Sequence, residues 1–193
     1  MVDTTEEEGL EEDAAEETDV GESNLETSGE AVLSDASGEI LLSEAFNDDE
    51  RVDLVFKGGG SLEYYINEVQ VFGGEFEEGE KVRLIVKNNS RLVLGETLTA
   101  DMYPVQASDT DITNLSPGIY LAEKDFEYGT YLVNIDIKLP PASIVILDGL
   151  DSLEIIEQTL VDEFSGNGIQ YSIDKDQVIV FENANSISME KVY

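Results

Sequence analysis

Residues 117–133 read P-G-I-Y-L-A-E-K-D-F-E-Y-G-T-Y-L-V. Two glycine-aromatic units, Gly118-Ile119-Tyr120 and Gly129-Thr130-Tyr131, bracket a charged turn, which is the pattern of a short β-hairpin with two exposed corners. Glycine adopts backbone angles that other residues avoid, and alternating aromatic and aliphatic residues suit a pleated, half-buried surface. The stretch predicts a β-protein in which the glycines serve backbone geometry and the tyrosines serve packing.

The same period-two pattern extends in both directions. Upstream, residues 39–43 make a first strand, and 51–57 (R-V-D-L-V-F-K) alternate apolar and polar until Gly58-Gly59-Gly60 stops them. Residues 61–72 read as one strand that Gly73-Gly74 ends, and 81–87 put Val82, Leu84 and Val86 on one face with Arg83 on the other. Asn88-Asn89-Ser90 is a turn, after which 91–98 resume. Downstream, 130–137 and 143–147 are strands separated by Pro140-Pro141, which cannot donate to a central ladder. Further strands fall at 169–173, 177–181 and 186–192, with a corner at Asp174-Lys175-Asp176.

One segment reads differently. Leu153, Ile156, Leu160 and Phe164 recur at helical spacing behind Asp151 or Ser152 as cap, and Gly166 and Gly168 follow, so a single helix is expected near 151–164. The polar run 107–116 (A-S-D-T-D-I-T-N-L-S) is the interior boundary. The expected architecture is mainly β: an acidic disordered leader over 1–38, an N-terminal β-module over 39–106 and a C-terminal β-module over 112–193 with the helix, each a small antiparallel sandwich or roll. Residues 74–79 ahead of 82–86 echo residues 124–129 ahead of 131–135 at an offset of 50, as two modules of related design would.

Charge is concentrated at one end. Of 193 residues, 44 are acidic and 10 basic, for a net charge of −34, and residues 1–50 hold 19 acids and no Lys or Arg. Residues 4–30 have too little apolar surface to offset the entropy of ordering them. The balance excludes nucleic acid as a partner, because phosphate binding needs clustered Lys and Arg, and it disfavours anionic membranes. No apolar run reaches the roughly 18–20 residues of a membrane-spanning helix, and the first residues lack the basic and apolar regions of a signal peptide. Cys, His and Trp are all missing, which removes disulfides, thiolate metal sites and Ser-His catalysis.

What remains is oxygen chemistry. With 44 acids, two neighbouring carboxylates carry no information about glycoside hydrolysis, and no catalytic or cofactor-binding residue is predicted. Asp109-x-Asp111-x-x-Asn114 has the local spacing of loop ligands for Ca²⁺, as does Asp174-x-Asp176, although neither matches the EF-hand loop with its glycine and terminal Glu. Asp109, Asp111 and Asn114 are the metal candidates. Tyr64, Tyr65, Tyr103, Tyr120, Tyr128 and Tyr131 are a carbohydrate platform only if they are exposed; strand tyrosines are more often packing residues.

From residue 117 onward the chain resembles a small β-domain of Gram-positive surface proteins and lipoproteins, whose repeat runs roughly G-x-Y-x-V-G-x-D-I-P-x-G-x-Y. Here that block is G-I-Y-L-A-E-K-D-F-E-Y-G-T-Y at 118–131, and the family's Y-V-T-V-K-D-G-Q-Y block looks like Y-S-I-D-K-D-Q-V-I-V-F at 171–181. Ala122 replaces a glycine, the proline before the second glycine is missing, and the later turn has lost its glycine at Asp176-Gln177. The resemblance implies an extracellular, cell-surface, non-enzymatic interaction or scaffold module with a protein or cell-wall partner. Its acidic leader would follow a lipid anchor. Two alternatives stand beside it: an intracellular or phage structural protein, and a Ca²⁺- or glycan-binding module.

Overall fold

The computed structural model describes residues 30–162 and 168–192. These form β1 (Leu33–Ala36), β2 (Glu39–Leu41), β3 (Arg51–Phe56), β4 (Gly60–Ile66), β5 (Val69–Phe76), β6 (Lys81–Ile85), β7 (Ser90–Leu94) and β8 (Ala100–Val105) in the first half. The second half supplies β9 (Gly118–Leu121), β10 (Gly129–Ile137), β11 (Ala142–Leu147), β12 (Ile155–Val161), β13 (Ile169–Ile173), β14 (Val178–Glu182) and β15 (Ala184–Val192). The protein is mainly β and sandwich-like, and the only helical pieces among the described residues are two 3-10 turns, Leu42–Glu44 and Ala107–Asp109.

Three sheets arise. One has eight strands in the order β1-β8-β3-β6-β9-β14-β11-β12, one has four (β2-β7-β4-β5), and one has three (β13-β10-β15). Because side chains alternate across a strand, each strand of the large sheet serves two faces. Val52, Leu54, Val82 and Leu84 point to one face, where Leu62, Tyr64, Phe72 and Leu92 of the four-stranded sheet meet them. Tyr120, Ile179, Phe181, Ile144 and Ile146 point to the other, against Tyr131, Val133, Tyr171, Ile187 and Met189 of the three-stranded sheet. The large sheet is therefore a middle layer, covered on opposite faces by two smaller sheets set toward opposite ends.

The halves are joined by more than a linker. The first core also takes Ile119, Leu147, Val178 and Val180 from the second half, each at most 5% exposed. Burying a side chain of this kind contributes about 1.5–3 kcal/mol, so these four tie the halves together with a substantial apolar contribution. Glu182 at the end of β14 accepts a bond from the Gly73 amide of β5 at 3.1 Å, across the same boundary.

Four sequence expectations are corrected. Residues 151–162 hold no helix: β12 pairs antiparallel with β11 from Ala142↔Val161 to Leu147↔Ile155, and Leu153 has a positive φ of 53°. The apolar spacing there coincides with a helix, but Ile155, Ile156, Thr159 and Val161 are β-branched and favour an extended backbone. Ser152 Oγ accepts from Glu154 N at 3.3 Å in a turn instead of capping a helix. Phe164 and Gly166 lie outside the described residues. Second, 117–133 is not a hairpin: β9 lies in the eight-stranded sheet and β10 in the three-stranded one, so the turn between them crosses the sandwich. Third, the expected leader over 1–38 ends too late, because β1 pairs with β8 at Leu33↔Met102 and Ala36↔Ala100; its first 29 residues lie outside the described residues. Fourth, 61–72 is not one strand, since Asn67 and Glu68, both at positive φ, turn the chain between β4 and β5, and β5 runs on through Gly73-Gly74.

Candidate functional site at the junction of the halves

Strands β6 and β9 run parallel, paired at Arg83↔Gly118, while the other strand pairings are antiparallel. The contact is close enough that a Cβ on Gly118, whose φ is +145°, would lie 2.1 Å from the Arg83 carbonyl oxygen. Only glycine fits, which is the physical content of the first G-x-Y unit. Both units then finish alike. The Tyr120 hydroxyl donates to the Ser116 carbonyl at 2.8 Å, and the Tyr131 hydroxyl donates to the Glu127 carbonyl at 2.5 Å. Each ring is buried while its hydroxyl closes the loop four residues upstream, a tyrosine corner built twice. Burial pushes the Tyr120 hydroxyl above its usual range, against the pull of the Arg83 charge.

On β3 and β6, Arg51, Asp53, Lys81 and Arg83 face away from the first core. In an isolated sandwich they would face water; here the linker and the β9–β10 turn lie over them. Arg83 forks onto Asp53 (Nε to Oδ1 2.7 Å, Nη2 to Oδ2 3.0 Å) and sends Nη1 to Thr110 Oγ1 of the linker at 2.9 Å. Lys81 Nζ reaches Asp53 Oδ2 at 2.6 Å. Arg51 binds Asp125 of the β9–β10 turn at 2.9 Å, with side-chain exposures of 8% and 0%, and also donates to the Asp49 carbonyl. Asp125 Oδ2 takes the Leu121 amide at 2.7 Å. Burial works against the Arg83 charge, but the Asp53 carboxylate outweighs it and holds the guanidinium above its ordinary value. Bidentate geometry and further hydrogen bonds are what allow such desolvated pairs to persist.

Two depressions flank this cluster. A cleft of about 480 Å³ is lined by Val55, Phe76 and Lys81 of the first half and by Asn114, Ser116 and Ser186 of the second, among others. The two charged residues on its wall are engaged: Lys81 with Asp53, and Glu80 with Lys138, whose ammonium also lies 5.2 Å from the Phe76 ring centroid. What the cleft offers is amide and hydroxyl groups beside apolar surface, the surroundings of a neutral, hydrogen-bonding ligand. A wider groove of about 740 Å³ runs past Thr110, Lys124, Phe126, Tyr128 and Lys191.

The three residues singled out as metal candidates have different surroundings. Asp109 Oδ1 takes the Ser108 hydroxyl at 3.2 Å. Asp111 Oδ1 takes both the Thr113 hydroxyl (2.7 Å) and its amide (2.9 Å), bonds that hold its carboxyl below the usual carboxylate value. Asn114 borders the smaller cleft. Among the described residues no three His, Cys, Asp or Glu side chains gather as a metal site would need. Of the six tyrosines weighed as a glycan platform, Tyr64, Tyr120 and Tyr131 are buried, Tyr65 and Tyr103 half-buried, and Tyr128 exposed.

The ion cluster itself escaped the sequence reading. A signal existed: three arginines in a chain of net charge −34 are scarce, and two of them, Arg51 and Arg83, sit in period-two strand segments. No family model, curated protein or solved structure matches the chain. Among the described residues no helix is long and apolar enough to cross a membrane.

Proposed function

We propose that this chain is a non-catalytic interaction or scaffold module displayed outside a Gram-positive cell, with its acidic N-terminal segment spacing the β-body from the envelope. The observation that carries the scaffold reading is the junction: a sheet continuous across both halves, sealed on one side by a shared apolar core and on the other by the Arg51–Asp125 and Arg83–Asp53 pairs. Such a body holds its ends at fixed separation, as a load-bearing spacer requires. The extracellular placement rests on the G-x-Y resemblance and the acidic leader. Protease treatment of intact cells of the native host, followed by immunoblotting, tests it. The protein should be degraded without lysis; survival until the cells are broken would favour the intracellular or phage structural role.

The smaller cleft favours one second reading, a binder of hydroxyl-rich ligands such as glycans, in which Asn114, Ser116 and Ser186 supply hydrogen bonds and Val55 and Phe76 an apolar floor. Titration calorimetry against a panel of wall and capsular sugars tests this, with Asn114→Ala as the variant that should weaken binding. For the Ca²⁺ form of the reading, absence of both binding heat and a rise in melting temperature would sink it.

A further inference from the structure

We infer that β12 is a docking edge that takes an extended basic peptide segment of another protein as an added strand. Among the described residues β12 is the terminal strand of the eight-stranded sheet and pairs with β11 alone, so along its seven residues the outer side presents main-chain groups to an incoming strand. The other edges offer less. β1 has four residues and an irregular register, β2 has three residues, and β5 carries a register shift and the Gly73-Gly74 pair. β13 has five residues and exposes only Gln170 and Ser172, and β15 is bridged beside Ile187 and Met189 by Leu115 and Ile112. β12 has one irregularity of its own, at Ile156.

β12 is also apolar where a free edge should be polar. Ile155, Ile156 and Leu160 are 57%, 50% and 62% exposed, and no other described strand exposes more than one large apolar side chain. The register places Ile155 opposite Leu147, Gln158 opposite Val145 and Leu160 opposite Ser143. Ile155 and Leu160 thus share the sheet face of half-buried Val145, forming an apolar strip with a strand edge beside it. Exposed apolar surface next to unpaired main chain is what strand addition uses: backbone bonds give affinity and alternate side chains give selectivity.

Charge selects the occupant. From Lys138 to Lys175 the intervening sequence holds seven acids and no base, with Glu154 and Glu157 at and within the strand and Asp148 and Asp151 on the loop before it. The base that reaches this rim is Lys87, 3.3 Å from Asp151. A second copy would bring the same acids and another net charge of −34 to the contact, which like-charge pairing across a ladder opposes. An extended segment alternating Val or Ile with Lys or Arg satisfies both features, apolar side chains on Ile155 and Leu160 and cations on the acidic rim. This inference goes beyond the scaffold reading and does not depend on where the protein resides.

The test uses the full chain and a labelled synthetic peptide alternating Val and Lys, with a Val and Glu peptide as control, read by fluorescence anisotropy at physiological salt. Three chains are compared: the native one, Ile155→Ser/Leu160→Ser, and a control carrying Val69→Ser on the exposed turn end of β5. Circular dichroism and melting temperature confirm that each is folded. The basic peptide should bind the native chain and the Val69 variant alike, bind the double variant at least tenfold more weakly, and slow amide exchange along 155–161. The acidic peptide should not bind. Equal affinity for all three chains would show non-specific attraction to acidic surface and overturn the proposal, as would no binding of the basic peptide. Sedimentation showing dimers that the double variant abolishes would make a second copy the occupant and overturn it too.

Discussion

The two G-x-Y corners provide a controlled comparison, because Gly118 and Gly129 have nearly the same backbone, φ +145° and +147°, and different neighbours. An alanine at either position meets the same backbone penalty, about 1–3 kcal/mol for a region that glycine alone populates readily. At Gly129 the added Cβ would come within 2.9 Å of Lys191 Cε, the far end of a flexible side chain that can swing away. At Gly118 it would lie 2.1 Å from the Arg83 oxygen and 2.9 Å from that residue's nitrogen and carbonyl carbon. Those atoms belong to β6, so relief requires parting β6 from β9, the overpacking penalty of about 1–3 kcal/mol. Gly118→Ala should therefore cost about 2–6 kcal/mol and Gly129→Ala about 1–3, a gap of roughly 2 kcal/mol between midpoints against a total stability of about 5–15 kcal/mol. Urea unfolding followed by tyrosine fluorescence and far-UV dichroism measures both, with m-values compared to check that the unfolded states are alike. Equal losses at the two positions, or a larger loss at Gly129, would refute the assignment of Gly118 to the junction.

The remaining expectations concern the groups around that junction. Tyr120→Phe and Tyr131→Phe each remove a hydroxyl that donates to a carbonyl four residues back, and each should cost about 1 kcal/mol; thermal denaturation of the single variants checks this, and a neutral effect would show the corners contribute nothing. Asp125→Ala leaves the Arg51 guanidinium buried without its carboxylate, so a loss of about 3–5 kcal/mol is expected. Arg51→Met in the same chain should recover part of that loss, and a double-mutant cycle with no coupling would contradict the pairing. Burial raises the Glu182 carboxyl above its ordinary value, so the folded state holds that proton more tightly than the unfolded one. Ionisation of Glu182 then weakens the fold as pH rises through and above the ordinary carboxylate range. Glu182→Gln, which keeps an acceptor for the Gly73 amide, should raise the melting temperature at pH 7, with the gain fading in acid; a gain that grows in acid would reverse the sign of the argument.

How far the sequence revealed this molecule depends on which physical signal each segment carried. Strands β3, β6 and β10 were legible because one face meets a core and the other does not, which writes a period of two into 51–57, 81–87 and 130–137. β12 was misread because its exposed positions mix apolar Ile155, Ile156 and Leu160 with polar Glu157 and Gln158; with no clean alternation to mark a strand, Leu153, Ile156 and Leu160 fell on a helical period by coincidence. Sheet membership of β9 and β10 was invisible, since a hairpin turn and a turn that crosses a sandwich are written with the same glycines and charges. The echo between 74–79 and 124–129 shows the same limit: both turns carry the chain from one sheet to another, yet Gly79 has φ +85° and Gly129 +147°. The junction cluster was hidden because Asp53 and Arg83 look like solvated charges until a distant segment, 107–128, is laid over them.

The middle layer also bears on how this chain can be divided. Cutting it between residues 117 and 118 would leave one piece without Ile119, Leu147, Val178 and Val180 over its apolar face, and would strip Arg51 of its partner Asp125 on the other side. Neither piece closes by itself, yet the two are complementary along a defined strand register and the Arg51–Asp125 ion pair. Expressed separately, residues 30–117 and 118–192 are thus expected to behave as a split protein, each aggregation-prone alone and regaining the native sheet on mixing, with folding that becomes bimolecular and concentration-dependent.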